Sequence, residues 1–388
     1  MPAGFDHDVI VVGGGAMGAA TAWHLARDGR DVLLVEQFEP GHVHGSSHGH
    51  TRIFRVAYRD PRYTALALEA LSWWRVLEDE CGEPLLDQCG QIDHGTPAAL
   101  AEVGAALGAH GRPFERLSRA AADERWPGIR TEAGAVLSPD GGFVAADRSV
   151  AALYRVAARH GAHVRTGERV DRIEPIEPID SPGSRSGARV ITDQQSWSAP
   201  VVVAAAGPWT AGLLDGVIGL PPLAVTLAVP SHFRPRADNG RPWPSVLHHV
   251  DAASPLTFGA YAVWAPGVGL KVGLEDAVRP VDPDTGSFDP PAAAVAALTE
   301  YVEAWFPGLD PVPLDPHTCL FTSTPDEHFV IDRQGPIVVV SPCSGHGFKF
   351  VPAIGRLAAD LAESPRPDAP EVRRDAIWRL PSSGLPAS

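Results

Sequence analysis

Asp8-Val-Ile-Val-Val12 runs directly into Gly13-Gly-Gly-Ala-Met-Gly18 near the start of the chain. The apolar run is typical of a buried parallel strand, and the glycines after it are typical of a strand-to-helix turn. Residues 19–27 have the pattern of a helix, and Val32-Leu-Leu-Val35 predicts a second buried strand that ends at Glu36. Because this acid lies about 20 residues beyond the glycines, the segment predicts a βαβ unit that binds a dinucleotide.

The residues of this unit have distinct roles in dinucleotide binding. Gly13 permits the tight turn, Gly15 lets the backbone approach a pyrophosphate, and Gly18 lets the helix pack close to the strand. The helix N-terminus presents unpaired N–H groups to the phosphates, and Glu36 can accept a hydrogen bond from a ribose hydroxyl. An acid here disfavours a 2'-phosphate and therefore NADP, so FAD and NAD remain.

Later segments favour FAD over NAD. Residues 200–206 predict another apolar strand, followed by Gly207-Pro-Trp209, and residues 335–340 predict a late strand. A helix is predicted over 352–363 and should pack back on the sheet. A nucleotide site assembled from the beginning, middle and end of a chain is more typical of a flavoprotein than of a compact NAD dehydrogenase.

These elements predict an α/β plus β fold, with a Rossmann-like FAD-binding domain and a separate mixed-sheet substrate domain. Residues 86–145 and 216–319 have strand-and-turn character, and we assign both stretches to the substrate domain. The FAD-binding domain is then discontinuous and comprises residues 1–85, 146–215 and 320–388.

The composition excludes several classes of partner. The chain has 388 residues, of which 44% are hydrophobic and 20% are charged, as in an ordinary globular protein. No apolar run reaches the roughly 18 to 20 residues of a membrane span, and no basic leader precedes the first strand, so we expect a cytoplasmic protein without membrane contact. The formal net charge of −15 argues against nucleic acid as a partner. Because the chain carries no partner motif, we expect a monomer.

Lysine and cysteine usage single out a few positions. Lys271 and Lys349 are the only lysines among 32 basic residues. In a chain so rich in arginine, we expect both where a compact ammonium is needed rather than a planar guanidinium. The four cysteines, at positions 81, 89, 319 and 343, show neither zinc-ligand spacing nor a disulfide framework.

Six motifs, spread along nearly the whole chain, resemble one family. They are Val12-Gly-Gly-Gly-Ala-Met-Gly18, His48-Gly-His-Thr-Arg-Ile-Phe-Arg55, Trp126-Pro-Gly128, Gly269-Leu-Lys-Val-Gly273, Cys319 followed by Asp326-Glu-His-Phe-Val-Ile-Asp332, and Ser344-Gly-His-Gly-Phe-Lys-Phe350. The chain resembles monomeric sarcosine oxidase and N-methyltryptophan oxidase, within the D-amino-acid-oxidase-like flavoproteins. The resemblance implies oxidation of a small secondary-amine amino acid by hydride transfer to FAD, with O2 reduced to H2O2 and the imine hydrolysed.

The resemblance also implies a covalent cofactor. Cys319 matches the cysteine that holds the flavin through its 8α-methyl group, and a thiolate can form such a bond. The other three cysteines are predicted to be structural. The residues implied to bind FAD are Gly13, Gly15, Ala16, Met17, Gly18, Glu36, Ser46, His48, Thr51, Arg52, Val170, Gly207, Cys319, Gly345, Gly347, Phe348 and Lys349.

Catalytic and substrate-binding roles follow from the same match. Lys271 matches the oxygen-activating lysine of the family, Arg52 an arginine beside the flavin ring, and His346 a histidine on the substrate side. Arg55 and Lys349 match the pair of cations that binds the substrate carboxylate. Two more residues, Phe258 and Glu275, are implied to face the substrate.

The chain departs from the family pattern at three positions. His50 replaces an acid, Glu275 replaces a histidine, and Phe258 stands near the position of a tyrosine. Because two of these positions face the substrate in the family, the amine can differ from sarcosine. The alternating histidines 42, 44, 48 and 50 resemble metal ligands, but this loop is rich in histidine in the family, so no metal is predicted.

Two other functions fit parts of the pattern. One is oxidation of a cyclic imino acid, such as proline or pipecolate, by an oxidase or dehydrogenase on the same fold. The other is a non-catalytic nucleotide-binding protein, which a substrate-dependent loss of flavin colour would exclude.

Overall fold

The computed structural model describes residues 4–177, 186–237, 242–251, 254, 256–275, 279–342, 344–364 and 380. Cys343, for which the sequence predicts a structural role, lies outside the described residues. Two large sheets carry the architecture and confirm the predicted α/β plus β fold.

The first large sheet, called here the nucleotide sheet, contains the predicted βαβ unit at its centre. Its pairs are parallel except for the one between its first two strands. In spatial order its six strands are Val330–Gln334, Ile337–Ser341, Val201–Ala204, Val9–Val12, Val32–Val35 and His163–Arg165. Its apolar strands have continuous hydrophobic runs because both of its faces are covered.

Helices cover one face of the nucleotide sheet, and a smaller sheet covers the other. The covering helices are Ala16–Arg27, Pro61–Cys81, Ala146–Arg159 and Val351–Glu363. The smaller sheet consists of the antiparallel strands Val170–Ile176, Gly187–Thr192 and Ser196–Ala199. Within each central strand, alternate residues therefore belong to two different hydrophobic cores, as the pleat of a strand requires.

The second large sheet has seven strands and mixed pairing. In spatial order they are Ser231–Phe233, Gly269–Leu274, Ala260–Ala265, Ser245–His249, Gln91–Gly95, Ala135–Ser138 and Glu115–Leu117. Helix Ala292–Trp305 packs on one face through Leu298, Tyr301 and Val302, which contact Leu270 and other inward residues of the strands. The opposite face is left to line a cavity.

Two small sheets join segments that lie on either side of the predicted domain boundaries. One contains Thr51–Phe54, Gly142–Ala145 and Leu86–Asp87, and the other contains Arg279–Pro280, Ala224–Ala228 and Cys319–Ser323. The predicted ranges of the two domains remain a prediction, with strand pairing across the boundaries near residues 85, 145 and 319.

The strand-and-turn prediction for residues 86–145 and 216–319 was incomplete, because both stretches also contain helices. These are Pro97–Ala109 and Arg119–Arg125 in the first stretch and Ala292–Trp305 in the second. The Thr96 and Ser118 hydroxyls accept hydrogen bonds from the third residue of their helices, and proline at the first turn further favours Pro97–Ala109. These start signals outweighed the general turn-rich composition.

The remaining helical elements are short. They are the helix Thr210–Leu213 and the 3-10 turns Gly207–Trp209 and Phe348–Phe350. Among the described residues, no helix is long and apolar enough to cross a membrane.

Candidate active site

A cavity of about 750 Å³ lies between the nucleotide sheet and the seven-stranded sheet. Its size is in the range of cofactor and substrate sites in proteins. It brings together most of the predicted site residues, which come from positions 13 to 349 of the chain. The predicted residues that line it are Gly13, Gly15, Ala16, Met17, Glu36, Ser46, Arg52, Arg55, Val170, Gly207, Lys271, Glu275, Cys319, Gly345, His346, Gly347, Phe348 and Lys349.

Four predicted residues do not line the cavity. Gly18 lies behind the glycine turn, where a Cβ atom would stand 1.8 Å from the Gly13 carbonyl oxygen, as expected for close helix packing. Thr51 is buried, and His48 is half-buried. Phe258 is 42% exposed in the loop before strand Ala260–Ala265, so the structure does not bring it to the substrate side.

Strand alternation explains which residues of the seven-stranded sheet reach the cavity. Leu270 and Val272 point to helix Ala292–Trp305, so Lys271 between them points to the cavity. In the neighbouring strand, Tyr261 and Val263 line the cavity for the same reason. Tyr261, three residues after Phe258, is therefore the aromatic residue that the sequence reasoning missed.

The nucleotide end of the cavity is built from the glycine turn. Gly13 has a φ of 97°, and a Cβ atom there would lie 2.5 Å from the Ala205 carbonyl oxygen, so only glycine fits. The Glu36 carboxylate accepts hydrogen bonds from the Gly14 amide at 2.6 Å and from the Phe38 amide at 2.9 Å. Glu36 therefore braces the turn, and its remaining lone pairs can still accept from a ribose.

The first turn of helix Ala16–Arg27 has a side-chain partner that the sequence analysis did not single out. The Ser47 hydroxyl accepts a hydrogen bond from the Ala16 amide at 3.0 Å, and Ser47 lines the cavity. The neighbouring Ser46, predicted to bind FAD, donates to the Leu320 carbonyl at 2.6 Å. Nothing in the run Ser46-Ser47 distinguishes the two roles before the loop is folded.

A second missed group closes the nucleotide end. Arg169 forms a two-point ion pair with Asp284 at 2.8 and 3.0 Å, and the Trp209 indole donates to the same carboxylate at 2.9 Å. All three residues line the cavity. Because the ion pair is exposed, it contributes little to the stability of the fold, and its main effect is to hold these three side chains in position.

Two histidines and an arginine lie close to Cys319, which is 6% exposed and lines the cavity. Burial alone would raise the pKa of the Cys319 thiol, but His317, His48 and Arg52 outweigh it and hold that pKa well below its usual range. Burial raises the pKa of the Cys89 thiol to about 12. Of these two cysteines, Cys319 is the one that ionises readily.

Arg52 is held in place by backbone carbonyls. Its guanidinium donates to the carbonyl oxygens of Ser46 at 3.0 Å, of His48 at 2.7 Å and of Thr51 at 3.1 Å. The guanidinium carbon also lies 5.8 Å from the centroid of the Phe348 ring. Arg52 is therefore a fixed positive charge in the cavity wall.

Lys271 is 3% exposed, and its ammonium donates to the Thr51 carbonyl oxygen at 2.5 Å. Burial, reinforced by the nearby charge of Arg52, lowers the pKa of Lys271 to about 7. This is the environment expected of a lysine whose charge acts on a bound group rather than on solvent.

Arg55 and Lys349 flank a single tyrosine, which the sequence analysis also missed. The Arg55 guanidinium carbon lies 4.3 Å from the centroid of the Tyr58 ring, and the Lys349 ammonium lies 5.7 Å from it. Lys349 also donates to the His346 carbonyl at 2.7 Å. Burial would raise the pKa of Tyr58, but Arg55 and Lys349 outweigh it and lower that pKa. The structure thus brings the two predicted carboxylate-binding cations together.

Two more predicted residues, His346 and Glu275, line the part of the cavity that contains Arg55 and Lys349, which is called here the substrate end. His346 lines the cavity, and burial, together with the charge of Lys349, lowers its pKa to about 3, so this imidazole is neutral at pH 7. Glu275 also lines the cavity, and its negative charge acts on both Arg55 and Lys349. The site can therefore hold an anionic group between cations beside a neutral histidine.

The residues fit FAD. The glycine turn and the N-terminus of helix Ala16–Arg27 suit a pyrophosphate, Glu36 suits a ribose, and the far end of the cavity presents Cys319 and fixed cations.

Comparison with known proteins agrees with this geometry. Residues 8–361 match the family of FAD dependent oxidoreductases. The chain is 31% identical over 369 residues to monomeric sarcosine oxidase from Bacillus sp. (strain NS-129) and 34% identical over 369 residues to peroxisomal sarcosine oxidase from Mus musculus, with 92% of both chains covered in each case.

A solved structure is similar over the same length. NikD, an unusual amino acid oxidase essential for nikkomycin biosynthesis, superposes with a TM-score of 0.85 at 27% identity, covering 98% of this chain and 99% of that one. The predicted resemblance is confirmed, and the chain belongs to the family of FAD-dependent oxidoreductases that includes the sarcosine oxidases.

Proposed function

We propose that the protein oxidises a small secondary-amine amino acid of the N-methyl type and uses O2 as the final oxidant. The observation that carries the proposal is the pair Arg55 and Lys349, which share one cavity with Lys271 and Cys319. When bound, FAD supplies the redox chemistry by accepting two electrons and a proton equivalent from the amine and passing the electrons to O2, which leaves as H2O2.

Arg55 and Lys349 bind the substrate carboxylate. Both lie in a largely desolvated site, where a charge-assisted hydrogen bond to a carboxylate is worth about 1.5 to 3 kcal/mol. The carboxylate fixes one end of the substrate, so the carbon and nitrogen that lose hydrogen are held in one orientation. Positioning of this kind removes much of the entropic barrier.

The rest of the substrate end favours a neutral amine. His346 is uncharged at pH 7 and lies next to Lys349, so it adds no further cation beside the nitrogen. A neutral nitrogen has the lone pair that the oxidation requires. The imine product then reacts with water to release the amine and carbonyl fragments.

Lys271 provides the charge for the oxygen step. The first electron transfer to O2 creates an anion, and a buried ammonium nearby stabilises it. At about 4 Å and an effective dielectric of about 20, the attraction is about 4 kcal/mol. Lys271 is held at this place by its hydrogen bond to Thr51.

We also propose that FAD is attached covalently through Cys319. The support is that Cys319 lines the cavity and that its thiol ionises readily. Flavin should remain with the protein after acid precipitation of the wild type, and Cys319→Ala should release it. Cys89→Ala removes a thiol outside the cavity and is the matched control, which should retain the flavin. Yellow colour released from the wild type would contradict the attachment.

A panel of N-methyl and cyclic amino acids tests the proposed activity. We expect H2O2 release with one or more N-methyl amino acids under air. Activity with cyclic imino acids only would change the substrate class, and activity with an artificial electron acceptor but without H2O2 would make the protein a dehydrogenase. Absence of flavin bleaching with every substrate would contradict enzymatic function.

A further inference from the structure

Three side chains behind the cavity wall come together from two segments of the chain. His232, Asp315 and His317 each offer one ligand atom, and these atoms all lie within 4.8 Å of one another. None of the three is among the residues that line the cavity. We propose that they form a binding site for a borderline divalent metal ion such as Zn²⁺.

Backbone hydrogen bonds hold the two segments in register. The Leu314 amide donates to the His232 carbonyl at 2.9 Å, and the His317 amide donates to the Pro230 carbonyl at 3.2 Å. The imidazole rings of His232 and His317 are consequently nearly parallel, with centroids 5.8 Å apart and an interplanar angle of 20°. The main chain therefore holds the two segments that carry the three side chains next to each other.

His232 supplies the second observation that points to a ligand. Its residue is 1% exposed, and within the described part of the chain neither ring nitrogen has a hydrogen-bond partner. Buried polar atoms are normally paired. Coordination of an ion would satisfy one of these nitrogens.

The other two residues have the features of metal ligands. Nδ1 of His317 lies 2.8 Å from the Asp315 carbonyl oxygen, the kind of outer contact that orients a coordinating imidazole. Because the His317 ring also contacts the Cys319 thiol, coordination of an ion would compete with that contact. The Asp315 side chain is 68% exposed, which gives an ion a path from solvent. Its carboxylate also supplies one negative charge to the site.

The donor set selects the class of ion. Two imidazoles and one carboxylate suit Zn²⁺, Co²⁺ or Ni²⁺ better than Mg²⁺ or Ca²⁺, which prefer oxygen ligands only. A tetrahedral Zn²⁺ with bonds of about 2.1 Å places its ligand atoms about 3.4 Å apart. The three atoms, which lie within 4.8 Å of one another, must therefore close by up to about 1.4 Å, and this requires small movements of the two imidazoles as well as of Asp315.

The site is adjacent to two residues of the cavity and is separate from the carboxylate-binding cations. His232 is the cross-strand partner of Lys271, and His317 precedes Cys319 by two residues. The alternating histidines 42, 44, 48 and 50, considered as ligands from the sequence, contribute none of the three ligands. The proposal does not depend on the amine oxidase activity.

Calorimetric titration of the holoenzyme with Zn²⁺ tests the site. The protein should carry no affinity tag and should be treated with EDTA and dialysed beforehand. We expect one equivalent of Zn²⁺ to bind to the wild type, with no competition from excess Mg²⁺. Asp315→Asn should weaken binding by at least about tenfold, the lower end of the effect of losing even an outer contact.

Asp310→Asn, which removes the same charge from an exposed position in the same segment, is the matched control and should bind like the wild type. His317→Gln provides a second ligand variant in case Asp315→Asn alters folding, and circular dichroism verifies that both are folded. Failure of the wild type to bind Zn²⁺, or equal affinity in the wild type and both ligand variants, would overturn the proposal.

Discussion

The ammonium of Lys271 donates a hydrogen bond of 2.5 Å to the carbonyl oxygen of Thr51. Lys271 belongs to the seven-stranded sheet, whereas Thr51 begins the strand that leads to Arg52 and Arg55. One buried contact thus joins the lysine proposed for O2 activation to the segment that carries Arg52 and Arg55, the arginines proposed to lie beside the flavin and to bind the substrate carboxylate. Because the contact is buried, it fixes the distance between the two groups.

Reoxidation of the enzyme should depend on the charge of Lys271. Its pKa is lowered to about 7, so the ammonium is present below that pH and is lost above it. We therefore expect the rate of reoxidation by O2 to fall as pH rises through the pKa. An anionic reduced flavin would move this midpoint upward, since it stabilises the ammonium. Stopped-flow mixing of EDTA-treated, reduced enzyme with O2 between pH 6 and 10 measures it. A reoxidation rate of the wild type that does not change over this pH range would contradict the dependence on Lys271.

Removal of either cation proposed to bind the carboxylate should affect substrates that have a carboxylate far more than substrates that lack one. Lys349→Ala or Arg55→Ala should lower kcat/KM for an N-methyl amino acid by roughly fivefold to more than a hundredfold. This corresponds to a loss of about 1 to 3 kcal/mol of binding free energy. An N-methyl amine without a carboxylate should lose much less and serves as the internal control. Steady-state assays measure kcat/KM for both substrates. Equal losses of kcat/KM for the two would argue against a carboxylate site at Arg55 and Lys349.

Tyr58 should act through its ring, which lies against both cations. Each cation–π contact is worth about 0.5 to 2 kcal/mol, depending on how desolvated it is. Tyr58→Leu should therefore raise KM for the carboxylate substrate by roughly fivefold or more, with a smaller change in kcat. Tyr58→Phe keeps the ring but removes the hydroxyl on which both cations act, so it should raise KM less than Tyr58→Leu does. Equal KM values for the Leu and Phe variants would show that the ring does not position the cations.

Glu275 should set the preference among amines. It is an exposed carboxylate at the substrate end, so it should favour a substrate with a second basic group by up to about 1 kcal/mol, or about fivefold. Glu275→His should raise the ratio of kcat/KM for sarcosine to that for a basic N-methyl amino acid. Glu275→Gln, which removes only the charge, should move the ratio in the same direction. An unchanged ranking in both variants would place Glu275 outside the substrate contacts.

Four of the six strands of the nucleotide sheet could be predicted from the sequence because their apolar runs are local signals, whereas Val330–Gln334 and His163–Arg165 were not predicted as strands. The predicted strand at residues 8–12 and the helix at 352–363 agree with Val9–Val12 and Val351–Glu363 to within one residue. Helix Ala16–Arg27 begins three residues earlier than predicted, because its first turn includes Ala16, Met17 and Gly18. Glycine at the third of these positions hid the helix start from a propensity argument.

The site could be predicted only in part, because several of its contacts depend on tertiary geometry. Arg55 and Lys349 were paired through the resemblance, although almost 300 residues separate them. Phe258 and Tyr261 could not be distinguished without the start of strand Ala260–Ala265, which determines the residue that points inward. Tyr58 carries no local signal at all, since its role arises from the two cations that the fold places on its ring.

Separate measurements of flavin reduction and of reoxidation by O2 in Lys271→Met test most directly whether Lys271 acts in the oxygen step while Arg55 and Lys349 act in substrate binding. Anaerobic stopped-flow mixing with an N-methyl amino acid should show flavin reduction at close to the wild-type rate, because the variant keeps Arg55 and Lys349. Reoxidation by O2 should be slower by two to four decades, as a loss of about 4 kcal/mol of charge stabilisation requires. Reoxidation at the wild-type rate, or an equal fall in both half-reactions, would contradict the account.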